Sequence, residues 1–204
     1  MTEEIIVQSA SADDLAAIAD IAFGLFPDNF YCLGKNPLDE ARAWIRANSQ
    51  PSDGRHYVVA KAGDSVVGYA HSHTTAHGAG VVVIDEWGKR IGCDLRGIGS
   101  RVIQATQDFW VDKHPRRFGR PLTALLIYTG MPGVGLCEKL GFVRVAQMQN
   151  LYGQGIDEYL LRKKYTKKRR FINDWMSGIY PCQKFLYSLR SHFNHFRIFR
   201  FKCS

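Results

Sequence analysis

The apolar residues of this 204-residue chain change period as it runs, and that change limits the fold more than any other feature. Leu15, Ile18, Ala22 and Leu25 recur at helical spacing. Ser11-Ala12-Asp13-Asp14 precedes them, a capping-box-like start with an acid at the third helical position. That helix should have ended by Pro27. Pro37 opens a second one, with Asp39 and Glu40 near its positive end and Ala41, Trp44 and Ile45 on one face. From His56 the pattern is that of strands. His56–Ala62 and Ser65–Thr74 flank the turn Gly63-Asp64, a hairpin signature. Val81-Val82-Val83-Ile84 is a β-branched run suited to a central strand.

An amphipathic helix follows through Val102, Ile103, Ala105, Thr106, Phe109 and Trp110, expected to end at His114-Pro115. Leu122–Tyr128 reads as another buried strand, and Pro132–Leu140 as a helix stopped by Gly141. Phe142–Tyr152 and Ile156–Leu161 form a last hairpin around Gly153-Gln154-Gly155. With Ile5-Ile6-Val7 as a first strand, the order is βααβββαβαββ. This is a mixed α/β (α+β) domain over residues 1–164, followed by a tail over 165–204.

Charge divides at the same boundary. The net charge is +8, and residues 165–204 alone hold nine Lys/Arg against one acid, Asp174. The first 164 residues therefore balance, and any polyanion-binding role belongs to the tail. Five cysteines, at 32, 93, 137, 182 and 203, are scattered and odd in number, with no C-x-x-C pair. That excludes a disulfide framework or a cysteine zinc site and points to a reducing cytoplasm. No apolar run is long enough for a membrane span. The acidic start, Met1-Thr2-Glu3-Glu4, is not that of a secretory signal.

Three local motifs carry a resemblance. Arg96-Gly97-Ile98-Gly99-Ser100 resembles the second half of an acyl-CoA loop, (Gln/Arg)-x-x-Gly-x-(Gly/Ala). Cys137-Glu138-Lys139-Leu140-Gly141-Phe142 is similar to a Tyr-Glu-Lys-Leu-Gly-Phe signature, and Asp157-Glu158-Tyr159-Leu160-Leu161 to Asp-Glu-Tyr-Leu-Met. With the element order, these resemble the GNAT superfamily of acetyl-CoA-dependent N-acetyltransferases. The resemblance implies a GNAT-like mixed sheet, acetyl-CoA as co-substrate, no metal, and transfer of acetyl to a primary amine.

The loop also has its own physics. Glycine lets backbone approach a phosphate, and a helix start offers unpaired amides and partial positive charge. Arg96, Gly97, Ile98, Gly99, Ser100 and Arg101 are accordingly the candidate cofactor-binding residues. Asp94 departs from the pattern, standing where Gln or Arg is usual. Trp87-Gly88-Lys89-Arg90-Ile91-Gly92 is an alternative phosphate loop; 96–100 is preferred because it leaves a helix of ordinary length before residue 122.

Acetyl transfer needs a base for the amine, a donor to the thioester oxygen and a proton for the departing sulfur. In the family a fourth-strand amide serves the oxygen, and a carboxylate or water on that strand serves as base. Asp85 and Glu86 occupy that place; side-chain alternation lets only one face the cleft, and Glu86 is favoured. The family's proton-donating tyrosine is here Cys137, whose other reading is plain core packing. Tyr128, on the preceding strand, is the substitute acid, or otherwise a core aromatic. His71 and His73 share a strand face, with His77 beyond. No acid is in register with them, so they read as surface or cleft histidines rather than metal ligands.

The tail begins with Lys167-Lys168-Arg169-Arg170 and is rich in aromatic residues. Phe185, Leu189, Phe193 and Phe196 fall on one helical face. It fits an anionic membrane, nucleic acid, a second copy in a homodimer, or its own domain. A second function class is therefore a catalytically weakened GNAT-like binding module tethered by this tail.

Overall fold

The computed structural model describes residues 4–25, 37–49, 54–75, 80–151, 155 and 157–165. Residues 26–36, His77 and the tail beyond Tyr165, with the readings placed on them, lie outside the described residues.

A seven-stranded mixed sheet carries the fold, in the order β1-β2-β3-β4-β5-β7-β6. The strands are β1 (Ile5–Ser9), β2 (Arg55–Ala62), β3 (Ser65–Thr74), β4 (Val81–Lys89), β5 (Ala124–Gly130), β6 (Val143–Met148) and β7 (Glu158–Lys164). The helices are α1 (Leu15–Leu25), α2 (Pro37–Asn48), α3 (Ile98–Phe118) and α4 (Met131–Lys139). This is the βααβββαβαββ order expected, on a mixed α/β sheet. Among the described strands only β4 and β5 run parallel; the other neighbours pair antiparallel.

Two apolar layers hold the sheet. On the back, Val58, Ala60, Ala70, Val82, Ile84, Leu125, Ile127 and Leu161 pack against Ile98, Val102, Ile103 and Trp110 of α3 and against Val134 and Cys137 of α4. On the front, Tyr57, Val59, Val66 and Tyr69 pack against Leu15, Ile18, Ala22 of α1 and Ala41, Ile45 of α2. Residues alternate between the layers because strand side chains alternate.

The capping box forms as its sequence implies, but on a single 3-10 turn, Ala12–Asp14, that leads into α1. Asp14 Oδ2 accepts from the Ser11 backbone N–H and hydroxyl, both at 2.8 Å, while Lys61 Nζ of β2 lies 2.6 Å from Oδ1. Burial alone would raise the Asp14 carboxyl; Lys61 and Ser11 together hold it below its usual value.

Several boundaries differ from expectation: β4 runs on to Lys89, β5 spans Ala124–Gly130 and β7 spans Glu158–Lys164, and two further differences have a visible cause. α3 does not end at His114-Pro115 but runs on to Phe118. A proline near a helix C-terminus removes a single amide, and the turn after it is closed by Gly119 in the left-handed region (φ 64°), whose N–H donates to the Pro115 carbonyl at 3.0 Å. Buried His114 anchors the same turn, its Nδ1 2.9 Å from the Arg120 carbonyl oxygen. In the last hairpin β6 stops at Met148, since Asp157 ties the turn, accepting from the Gln147 side chain (2.7 Å) and the Asn150 amide (3.0 Å).

Candidate functional site

The parallel pair β4–β5 does not stay paired. Its ladder covers Val81↔Ala124 through Ile84↔Ile127 and stops there, although β4 continues to Lys89 and β5 to Gly130. Beyond that point β4 follows β3 and β5 follows β7. A split therefore opens at the carboxyl ends of two parallel strands, the usual place for a ligand in an open α/β sheet. Each strand leads into a helix, and neither α3 nor α4 has a side-chain cap on its first amides. Both helix starts thus offer backbone donors beside the split.

The split has a local cause. β3 and β4 slip register between His71↔Glu86 and Ser72↔Ile84, leaving Asp85 as an extra residue. Such a bulge bends and twists its strand. It also corrects the expectation that only one of Asp85 and Glu86 faces the cleft. Asp85 reaches His71 and Glu86 reaches Tyr69, and those partners share the front face of β3. The extra residue breaks alternation, so both carboxylates point the same way.

Their environments then separate them. Glu86 Oε2 accepts from the Tyr69 hydroxyl at 3.3 Å. Burial, helped by the charge of Asp85, raises the Glu86 carboxyl to about 7. Asp85 lies 2.7 Å from His71 Nδ1 and 3.3 Å from His73 Nδ1. Burial opposes both charges of the Asp85–His71 pair. Their attraction outweighs it, so Asp85 is held well below the usual carboxylate range and His71 above the usual imidazole value. An acid is therefore in register with the two histidines, supplied by the bulge. His71, His73 and Asp85 offer donor atoms within 4.8 Å of one another, a set that could hold a metal. The His71 ring stacks on Tyr57, at 4.3 Å between centroids. Among the described residues the buried Tyr57 hydroxyl and His71 Nε2 have no hydrogen-bond partner.

The residues chosen for cofactor contact lie at the start of α3. Gly97 is the N-cap, in the left-handed region at φ 78°, where a side chain would be strained. Its carbonyl takes the first intrahelical bond, from Arg101 N–H at 3.0 Å, so the amides of Ile98, Gly99 and Ser100 precede the ladder. The Ile98 side chain is buried against Gly68, where an added Cβ would run into it. Ser100 Oγ donates to Gly97 O at 2.8 Å. Arg96 is exposed. The Arg101 guanidinium is committed elsewhere, donating to the Ile5 carbonyl of β1 at 3.1 Å. Asp94 is exposed to solvent. The alternative loop from Trp87 to Gly92 is not a helix start, because Trp87-Gly88-Lys89 is strand and Lys89 Nζ folds back to Cys93 O at 2.5 Å.

The two candidate acids part company. Tyr128 stands half-buried on the front of β5, packed near Val83, Leu126 and Leu160, its hydroxyl pushed up to about 12 by burial and by Glu158 and Asp85. Cys137 does not join it: the side chain is fully buried in the back layer, and burial lifts the thiol to about 12. A helix packed face-down on the sheet puts that position in the core, where Cys137 packs with Val134 and the sheet.

Trp87, which opens the alternative loop in the sequence, has a different place in the structure. Its indole N–H crosses the split and donates to the Tyr128 carbonyl at 3.2 Å. Its ring lies over the two helix starts: a Cβ on Gly99 would sit 3.1 Å from it, and one on Gly133 2.8 Å.

No protein-family model and no curated protein matches this chain. Solved structures do match its fold. An N-acetyltransferase from Staphylococcus aureus Mu50 superposes with a TM-score of 0.61 at 16% identity, over 79% of this chain and 98% of that one. A GNAT superfamily phosphinothricin acetyltransferase from Sinorhizobium meliloti, in complex with AcCoA, gives 0.59 at 18%, over 82% and 95%. The paia N-acetyltransferase of Thermoplasma acidophilum, in complex with coenzyme A, gives 0.54 at 15%, over 79% and 99%. The chain has the GNAT fold. Among the described residues no helix is long and apolar enough to cross a membrane.

Proposed function

We propose that this protein is a GNAT-superfamily N-acetyltransferase that moves acetyl from acetyl-CoA directly to a primary amine. The observation that carries the reading is Glu86. It is a carboxyl raised to about 7 beside Tyr69, at the lip of a split between parallel strands. A group with that proton affinity can take a proton near neutral pH. The fold is that of enzymes solved with acetyl-CoA or coenzyme A bound.

In this reading the diphosphate rests on the amides of Ile98, Gly99 and Ser100, with Arg96 adding charge. The extended arm lies along β4 past Ile84, where backbone groups have no β5 partner. A β4 amide donates to the thioester oxygen as it becomes anionic. The amine nitrogen attacks the carbonyl carbon, its proton passes to Glu86, the C–N bond forms and the C–S bond breaks. Tyr128, which keeps its proton across the working range, returns one to the departing thiolate. The proposed compartment is the cytoplasm, from the unpaired cysteine pattern.

The test is release of CoA from acetyl-CoA with a panel of primary amines, for the intact chain and for Glu86→Gln. Release with at least one amine, lost in the variant, supports the reading; no release with any amine refutes it. The indole of Trp87 in the split favours a second reading, a domain of this fold that does not turn over. Absence of any thermal stabilisation by acetyl-CoA would select it.

A further inference from the structure

We infer that Trp87 controls entry to the acetyl-CoA site: its indole stands in the slot the thioester arm needs and must leave for the arm to enter. This rests on the acetyltransferase reading above. Three observations converge on it. The indole N–H occupies the Tyr128 carbonyl, on the residue just past the last rung of the β4–β5 ladder. An incoming amide donor would want that same acceptor. The ring also covers both helix starts, and the helices are bare exactly where it lies. Gly99 and Gly133 have no side chain, and a methyl on either would press on the ring. Finally Trp87 is only partly buried at the edge of the back layer, so it is not locked inside the core.

A site whose competent state is a fraction of the population binds more weakly by that fraction. Emptying the slot should therefore tighten binding. Trp87→Ala is expected to lower the Kd for acetyl-CoA by about tenfold. Trp87→Phe keeps a ring but loses the N–H donor, and is expected to lower it by about threefold. Titration calorimetry of the full chain with acetyl-CoA measures both, with thermal melting of the free proteins as the control for folding. If Trp87→Ala does not fold, Trp87→Phe alone decides. Acetyl-CoA should also shift the tryptophan emission of the parent protein to the red, and that shift should be absent in Trp87→Phe.

Unchanged affinity in both variants, with binding by the parent, overturns the inference and leaves the transferase reading standing. Weaker binding in both overturns it too, making the indole a platform for the arm. Absence of binding in parent and variants alike overturns the transferase reading and this inference with it.

Discussion

His71 and Asp85 meet at 2.7 Å across β3 and β4, an imidazole 4% exposed against a carboxylate 24% exposed. Asp85 is depressed in the folded state, so its contribution is present above about pH 4, its ordinary value, and is lost as pH falls through the folded one. His71 is raised, so its contribution is complete below about pH 6.5 and is lost as pH rises through its folded value. Asp85→Asn should cost about 3 kcal/mol near pH 6, because a buried cation loses its partner. It should also remove the loss of stability on the alkaline side. Urea unfolding across a pH series checks both; an alkaline slope unchanged in Asp85→Asn would show that the pair does not set it.

With Glu86 as the proposed base, the pH dependence of turnover should follow its carboxyl. Its base form grows as pH rises through about 7, so the rate should climb across that region and then level. Glu86→Gln should lower kcat by about 10²–10³ and flatten the climb. A rate profile that keeps its rise near 7 in the variant would assign the base elsewhere.

Gly68 and Ile98 lock the start of α3 to β3. A Cβ at Gly68 would run into Ile98 Cγ2 and come within 3.0 Å of the Gly88 carbonyl oxygen. Gly68→Ala should destabilise by about 1–3 kcal/mol through overpacking, read as a lower melting temperature. It should also weaken acetyl-CoA binding by displacing the amides that follow Gly97. A variant as stable as the parent would mean that this contact gives way without cost.

Arg96 and Arg101 are neighbours in sequence with different work. Arg101 is tied to the Ile5 carbonyl, whereas Arg96 is exposed beside the helix start. Arg96→Glu should raise the Kd for acetyl-CoA by about tenfold at low salt, less at high salt. Arg101→Ala should leave that Kd within about twofold and lower the melting temperature slightly. The reverse order would move the diphosphate toward Arg101.

The fold was legible where the signal is local. Ser11 and Asp14, the turn at Gly63-Asp64, the run Val81–Ile84 and the glycines at 97 and 141 act on their own neighbours, and the elements beside them form within a few residues of where they imply. What depends on pairing was not legible. Nothing in Ile84-Asp85-Glu86 announces that Asp85 will be skipped by β3; that follows from the register of two strands, and it alone brings both carboxylates to one face. Trp87 was hidden for a similar reason. Its partners, Gly99, Tyr128 and Gly133, are distant in sequence and meet only once two helices and a strand have docked. Cys137 had an ambiguous position on a short helix, resolved by which side of α4 the sheet covers.

The supernumerary residue in β4 acts as a spacer in a zip fastener. It sits one residue past the last β4–β5 rung at Ile84↔Ile127, so the change of phase with β3 and the parting from β5 fall at the same place. The opening beside β5 and the pairing of Asp85 with His71 thus meet at one backbone irregularity, and the side chains around it can be exchanged without moving the strand.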